Sequence, residues 1–233
     1  MKKIVKIIGV GLGVLVLLVV GYGIVKNEPL PEGKSGSEAD ALAQKMLNAL
    51  NAQAYENTRY LEWSYQGGKN QYRWDKLQGQ CRVKWDEYVV ELNLVQPEKS
   101  MASQNQVALK GDVKSEVVAK ALANFNNDSF WLVAPYKVFD SGTSRSLVPL
   151  ENGTQGLLVT YSTGGTTPGD SYLWQLNEKG IPESYKMWVK IIPIGGINAS
   201  WDNWTITESG AYLPTSHKLG PLELSMGTVK GYN

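Results

Sequence analysis

LEWSYQGGKNQYRWDKLQGQCRVKWDEYVVELNL, residues 61–94, is the stretch from which the fold is read. Leu61, Trp63 and Tyr65 alternate with Glu62 and Ser64, a turn follows at Gly67-Gly68-Lys69-Asn70, and Tyr72 and Trp74 then alternate with Gln71, Arg73 and Asp75. Cys81, Val83 and Trp85 alternate with Arg82 and Lys84, and after Asp86-Glu87 come Tyr88, Val90, Leu92 and Leu94. A period of two sends alternate side chains to opposite faces, so four consecutive strands share one aromatic and aliphatic face and one charged face. This is the pattern of an antiparallel meander with one side to solvent.

Upstream the period is about 3.6. Ala39, Leu42, Ala43, Met46, Leu47 and Leu50 fall on one helical stripe, with a start at Ser37-Glu38-Ala39-Asp40, where the Ser37 hydroxyl is expected to cap and the acids to favour the positive end of the dipole. Downstream, residues 112–126 carry Val113, Val117, Val118, Ala121, Leu122 and Phe125 at helical spacing. Phe130 to Phe139 is apolar but contains Pro135, and is expected as a partly helical loop inserting side chains into the interior. About six more strands follow: Gln155 to Ser162, then, after a turn at Gly164-Gly165-Thr166-Thr167-Pro168-Gly169, Ser171 to Leu176, Glu183 to Ile192, Ala199 to Thr207, Tyr212 to Lys218 and Leu222 to Lys230. About ten antiparallel strands rarely stay flat, and two amphipathic helices must bury their stripes. The expected fold class is α+β: a strongly curved, unclosed antiparallel β-barrel with helices covering its concave face, plus one N-terminal transmembrane helix.

Met1-Lys2-Lys3-Ile4-Val5-Lys6 precedes 19 uncharged residues, Ile7 through Val25. A hydrocarbon core of about 30 Å takes roughly 20 apolar residues, so the segment is long enough to span a bilayer. A cleaved secretory signal ending near Gly21-Tyr22-Gly23 is the alternative, although the apolar run continues past that site. Either way the three lysines hold the N-terminus in the cytoplasm and put the rest outside, in the periplasm. Residues 1–26 are the anchor or signal, the Pro- and Gly-rich stretch 27–37 is expected to be a linker, and residues 38–233 form the extracytoplasmic domain. Without Lys2, Lys3, Lys6 and Lys26 the remainder has 19 basic and 22 acidic side chains, about −3, so nucleic acid is not a partner and anionic headgroups exert no net pull.

The order of elements, and the segment Asp128-Ser129-Phe130-Trp131-Leu132-Val133-Ala134-Pro135-Tyr136-Lys137-Val138-Phe139-Asp140-Ser141-Gly142, resemble the outer-membrane lipoprotein carrier superfamily, in particular a branch of envelope proteins of that type. The ending, Trp201-Asp202-Asn203-Trp204 then Gly210-Ala211-Tyr212-Leu213-Pro214, is similar too. The resemblance runs from about Ser37 to the C-terminus. It implies a hydrophobic cavity between sheet and helices that accepts a lipid or the acyl chain of a lipoprotein, with Trp63, Tyr65, Tyr72, Trp74, Val83, Trp85, Phe130, Leu132, Phe139 and Trp174 as its lining. Eight Trp and twelve Tyr against three Phe suit such a wall, since Trp and Tyr combine apolar area with a polar handle. The same residues also suit a filled core. In that case the scaffold is an envelope protein–protein or glycan interaction domain that makes contact through its surface or through the Trp201 and Trp204 edge. The two indoles lie three apart, so on a strand they point to opposite faces and at most one serves an exposed patch. A tethered chain differs from the soluble carriers of the superfamily: it hands a lipid to a partner that approaches, or serves as a fixed receptor or sensor.

Catalytic equipment is sparse. One cysteine, Cys81, and one histidine, His217, leave no disulfide, no zinc site and no histidine cluster. Cys81 shares the inward set of its strand and is expected to be a small buried hydrophobe; His217 is expected to pack on or beside its strand. No Gly-x-Ser-x-Gly elbow accompanies His217. The expectation is a non-enzymatic binding domain with no metal and no cofactor.

Overall fold

The computed structural model describes residues 27–163 and 167–233. The segment 1–26, expected as the membrane anchor or signal, and residues 164–166 of the expected Gly164–Gly169 turn lie outside the described residues. Among the described residues no helix is long and apolar enough to cross a membrane.

The fold is α+β, built from antiparallel sheets that do not close into a barrel. The meander appears as β2 (Tyr60–Tyr65), β3 (Asn70–Asp75), β4 (Gln80–Trp85) and β5 (Tyr88–Asn93). It continues through β6 (Met101–Gln104) and β7 (Val107–Ala108), and β16 (Lys230–Tyr232) flanks β2, giving a seven-stranded sheet. Its register places Trp63 opposite Tyr72, Tyr72 opposite Val83 and Val83 opposite Val90, with Leu61, Trp74, Cys81 and Leu92 as the adjoining row. These cross-strand rows are the inward face read from the alternation.

A six-stranded sheet has the order β1 (Lys34–Ser35), β8 (Thr143–Pro149), β9 (Gln155–Tyr161), β10 (Asp170–Leu176), β11 (Pro182–Trp188) and β12 (Ile197–Ser200). A third sheet, β13 (Asn203–Ile206), β14 (Tyr212–Leu219) and β15 (Leu222–Ser225), bridges the other two. β14 lies beside β12, and the Ser64 N–H of β2 donates to the Met226 carbonyl just past β15, 3.0 Å away. Among the described residues sixteen strands stand where about ten were expected. The surplus comes from the short β1, β6 and β7, from β8, and from the splitting of two expected strands at Trp201–Asp202 and between Ser225 and Lys230.

Helix α1 (Ser37–Ala49) buries Ala39, Ala43 and Met46 and lies against β8 and β9. The expected Ser37 cap is not formed: Gly36 is the capping residue, at φ 139°, where a side chain is disfavoured, and no side chain caps the helix. Asn51, in left-handed conformation, turns the chain into α2 (Ala52–Asn57). Helix α3 (Gly111–Val133) is longer than expected. Phe130–Val133, read as loop, is its last turn, and Val113, expected on the buried stripe, is exposed. Pro135 ends it in a 3-10 turn, Ala134–Lys137.

The end of α3 shows how one residue substitutes for another. The Trp131 carbonyl would take the N–H of residue 135, but proline has none. His217 Nε2 reaches that carbonyl at 2.7 Å, and Nδ1 lies 2.8 Å from the Ser200 carbonyl. A neutral imidazole donates to only one of them. His217 is fully buried; burial lowers its pKa below the usual histidine value, against the upward pull of the two carbonyls and Asp202. The contribution of the neutral ring to stability is present in full above about pH 6.5 and is lost as pH falls through the lower folded value, because the unfolded histidine takes up the proton first. As this is the only histidine, urea unfolding between pH 7 and 5 is expected to show stability falling with pH, and His217→Gln to flatten that slope. Asp128, whose pKa burial raises, acts in the opposite sense but equally in both proteins, so a slope that His217→Gln leaves unchanged or steepens would contradict this assignment.

Residues 27–37, expected as a linker, are fixed along the six-stranded sheet. The Glu28 N–H donates to the Gly195 carbonyl at 3.1 Å, Trp188 Nε1 donates to the Glu28 carbonyl at 2.8 Å, and the Glu28 carboxylate meets Lys186 at 2.7 Å. A Cβ on Gly195 would stand 2.6 Å from the Glu28 oxygen, so glycine permits this approach. Under the strap a second small core, Val148, Leu158 and Leu173 with Leu150 and Trp188, covers the outer face of the sheet.

Candidate functional site

The two large sheets and α3 share one continuous core. On the meander side, Trp63 stacks on Tyr72 with centroids 4.5 Å apart, and Phe125 of α3 stands edge-on to Trp74 at 5.1 Å and tilted to Trp63 at 6.2 Å. On the other side, Phe130 of α3 meets Tyr161 at 5.5 Å and Tyr172 at 4.8 Å. Trp174 then meets Tyr185 and Trp201 in edge contacts of 5.0 and 4.9 Å. Phe125 and Phe130 are five residues apart, roughly 140° around a helix at 3.6 residues per turn, so α3 presents aromatic rings to both groups.

Of the residues expected to line a cavity, Trp63, Tyr65, Tyr72, Val83, Trp85, Leu132 and Trp174 are buried in this core, and Trp74 and Phe130 pack against it half-buried. Phe139 is not among them. It is 42% exposed, lies under the Arg145 guanidinium, and borders a surface groove of about 630 Å³ with Tyr55, Tyr136 and Asn51. The break at Pro135 turns it away from the stripe on which Leu132 lies. A second surface groove, about 380 Å³, lies beneath the strap at Pro29 and Pro31. Of the two tryptophans read as an interaction edge, Trp201 is fully buried, and Trp204 is half-buried with its Nε1 donating to the Pro182 carbonyl at 3.0 Å. Trp201 sits between strands, so strand alternation does not govern it.

The core is unusual in its polar atoms. The indole Nε1 atoms of Trp63, Trp74, Trp85, Trp174 and Trp201 and the hydroxyls of Tyr161 and Tyr185 are buried without a hydrogen-bond partner among the described residues. The Trp201 N–H and Tyr185 hydroxyl are close enough to influence each other, yet make no bond of proper geometry. Each unpaired group costs about 1–3 kcal/mol of desolvation. Tyr161→Phe, which removes one such hydroxyl and keeps the ring, is therefore expected to raise stability by about 1 kcal/mol in urea unfolding. A loss of that size would mean the hydroxyl is paired in solution.

One buried carboxyl lies beside this array. Asp128, on the inward stripe of α3 with Ala121, Phe125 and Leu132, accepts from Asn70 Nδ2 at 2.8 Å and the Tyr72 hydroxyl at 2.5 Å, and its other oxygen accepts from Asn127 Nδ2 at 2.8 Å. Burial raises its pKa, against the pull of these three donors. No lysine or arginine is buried among the described residues. Asp128 was not anticipated, although its phase with Phe125 and Leu132 carried the signal.

Cys81 is buried and its thiol is pushed well up by burial, which makes it an inert packing residue. Among the described residues no group of three or more His, Cys, Asp or Glu side chains is placed to hold a metal ion. No family model matches the chain. No curated protein is significantly similar to it.

Proposed function

We propose that the chain is a non-enzymatic, membrane-tethered receptor that binds an acyl chain of a lipid or lipoprotein between α3 and the inner faces of its sheets, on the extracytoplasmic side of the inner membrane. The architecture is then an unclosed half-barrel of the lipoprotein-carrier type, with α3 in its concavity. The observation that carries this reading is the set of seven N–H and O–H groups that have no partner among the described residues, in an interior otherwise built of aromatic and aliphatic side chains. Five of them, the indole groups, can only donate, so they call for a guest with oxygen acceptors as well as hydrocarbon. In this structure aromatic side chains occupy that space, and Phe125 fills the gap between Trp63 and Trp74, so a guest must displace them.

All eight tryptophans lie between residues 63 and 204, which makes them an internal reporter. A bromine-labelled stearoyl ester is expected to quench their fluorescence saturably, while a bromide of the same head without the chain does not. Absence of saturable quenching would contradict the reading. The closed packing of the core favours a second reading, an envelope interaction domain with a permanently filled interior, which predicts that negative result.

A further inference from the structure

We infer that the acyl site prefers uncharged, ester- or amide-linked acyl groups over free fatty acids, with Asp128 as the residue that sets this preference. The inference rests on the acyl-binding reading and concerns the head of the guest rather than its chain. A fatty acid brings a carboxylate, and a carboxylate taken out of water needs a cation or several donors in compensation. The interior offers no cation: lysines and arginines among the described residues are all exposed or half-buried, and Lys120, which lies over the Trp85 ring at 5.5 Å, is exposed. His217 is engaged with two carbonyls at 2.7 and 2.8 Å.

Where donors do converge, at Asn70, Tyr72 and Asn127, Asp128 already accepts all three. Tyr72 also stacks on Trp63, and Phe125, one turn before Asp128, touches Trp63 and Trp74, so the carboxyl borders the unpartnered indoles. A second carboxylate there meets like charge in a low dielectric, whereas an ester carbonyl accepts from an indole N–H at no such cost.

The test compares 9,10-dibromostearic acid with its glycerol monoester at pH 8, by tryptophan quenching of the full chain in a bile-salt detergent, with both affinities corrected for partition into the micelle. The ester is expected to bind at least roughly tenfold more tightly than the acid. Asp128→Asn, which keeps the shape and loses the charge, is expected to narrow the gap by raising acid affinity while ester affinity holds; retained ester binding shows that the variant is folded. Equal affinity of the wild-type chain for both probes, or an unchanged gap in Asp128→Asn, would overturn the inference and leave the acyl reading standing. Failure of both probes to bind the wild-type chain would remove the acyl reading and the inference with it.

Discussion

Phe125→Ala is expected to lower the unfolding free energy by about 3–5 kcal/mol, the usual cost of truncating a buried aromatic, and yet to tighten binding of a stearoyl ester by roughly tenfold. Phe125 is 7% exposed and fills the space between Trp63 and Trp74. Removing the ring leaves an apolar hole whose walls are the side chains proposed to hold the acyl chain. A guest that must displace Phe125 in the wild-type protein enters the variant without doing so, and the cost of closure is removed from its apparent affinity. Urea unfolding and tryptophan quenching read the two effects separately. A filled-core interaction domain predicts the same loss of stability with no binding, so the combination of weaker folding and tighter uptake distinguishes the two readings.

Trp74→Asp is expected to abolish uptake, by at least roughly a hundredfold, while costing about 2 kcal/mol of stability. Trp74 is half-buried, so an aspartate there can turn its carboxylate toward water and the fold survives. A charge at the rim of an acyl site, by contrast, opposes the guest directly. Trp74→Leu is the matched control: it gives up comparable packing without charge and is expected to keep most of the uptake. Equal loss of binding in both variants would reduce Trp74 to a packing residue.

The meander was legible because one of its faces meets water, so polar and apolar residues alternate at each step through Leu61, Trp63, Tyr65, Tyr72, Cys81, Val83 and Trp85. β9 and β10 are buried on both faces, the outer one under the Pro29–Pro31 strap and the cluster around Leu158 and Leu173, and their sequence shows a run rather than an alternation. The strap itself has the Pro and Gly content of a free linker. What fixes it is backbone hydrogen bonding to Gly195 and one indole from Trp188, neither of which leaves a local pattern.

The candidate site divides in the same way. Its aromatic wall on β2 to β4 follows from periodicity, whereas the opposite wall depends on Tyr185 of β11 and Trp201 of the β12–β13 connection converging on Trp174. Asp128 reads as a surface acid unless the helix is continued past Asn126 to Val133, which brings it into phase with Phe125. His217 serves a carbonyl 86 positions away that Pro135 leaves open, a relation only the tertiary structure contains. Phe139 was misplaced because an apolar run does not reveal which way the chain turns after a proline ends the helix.

The most direct test of acyl binding is native mass spectrometry, with organic extraction, of residues 27–233 secreted into a bacterial envelope and recovered without detergent. The account predicts a discrete adduct whose extract is an esterified or amide-linked acyl group. An unliganded mass, together with no saturable quenching by the brominated ester, would contradict it and make the aromatic interior a core that never opens.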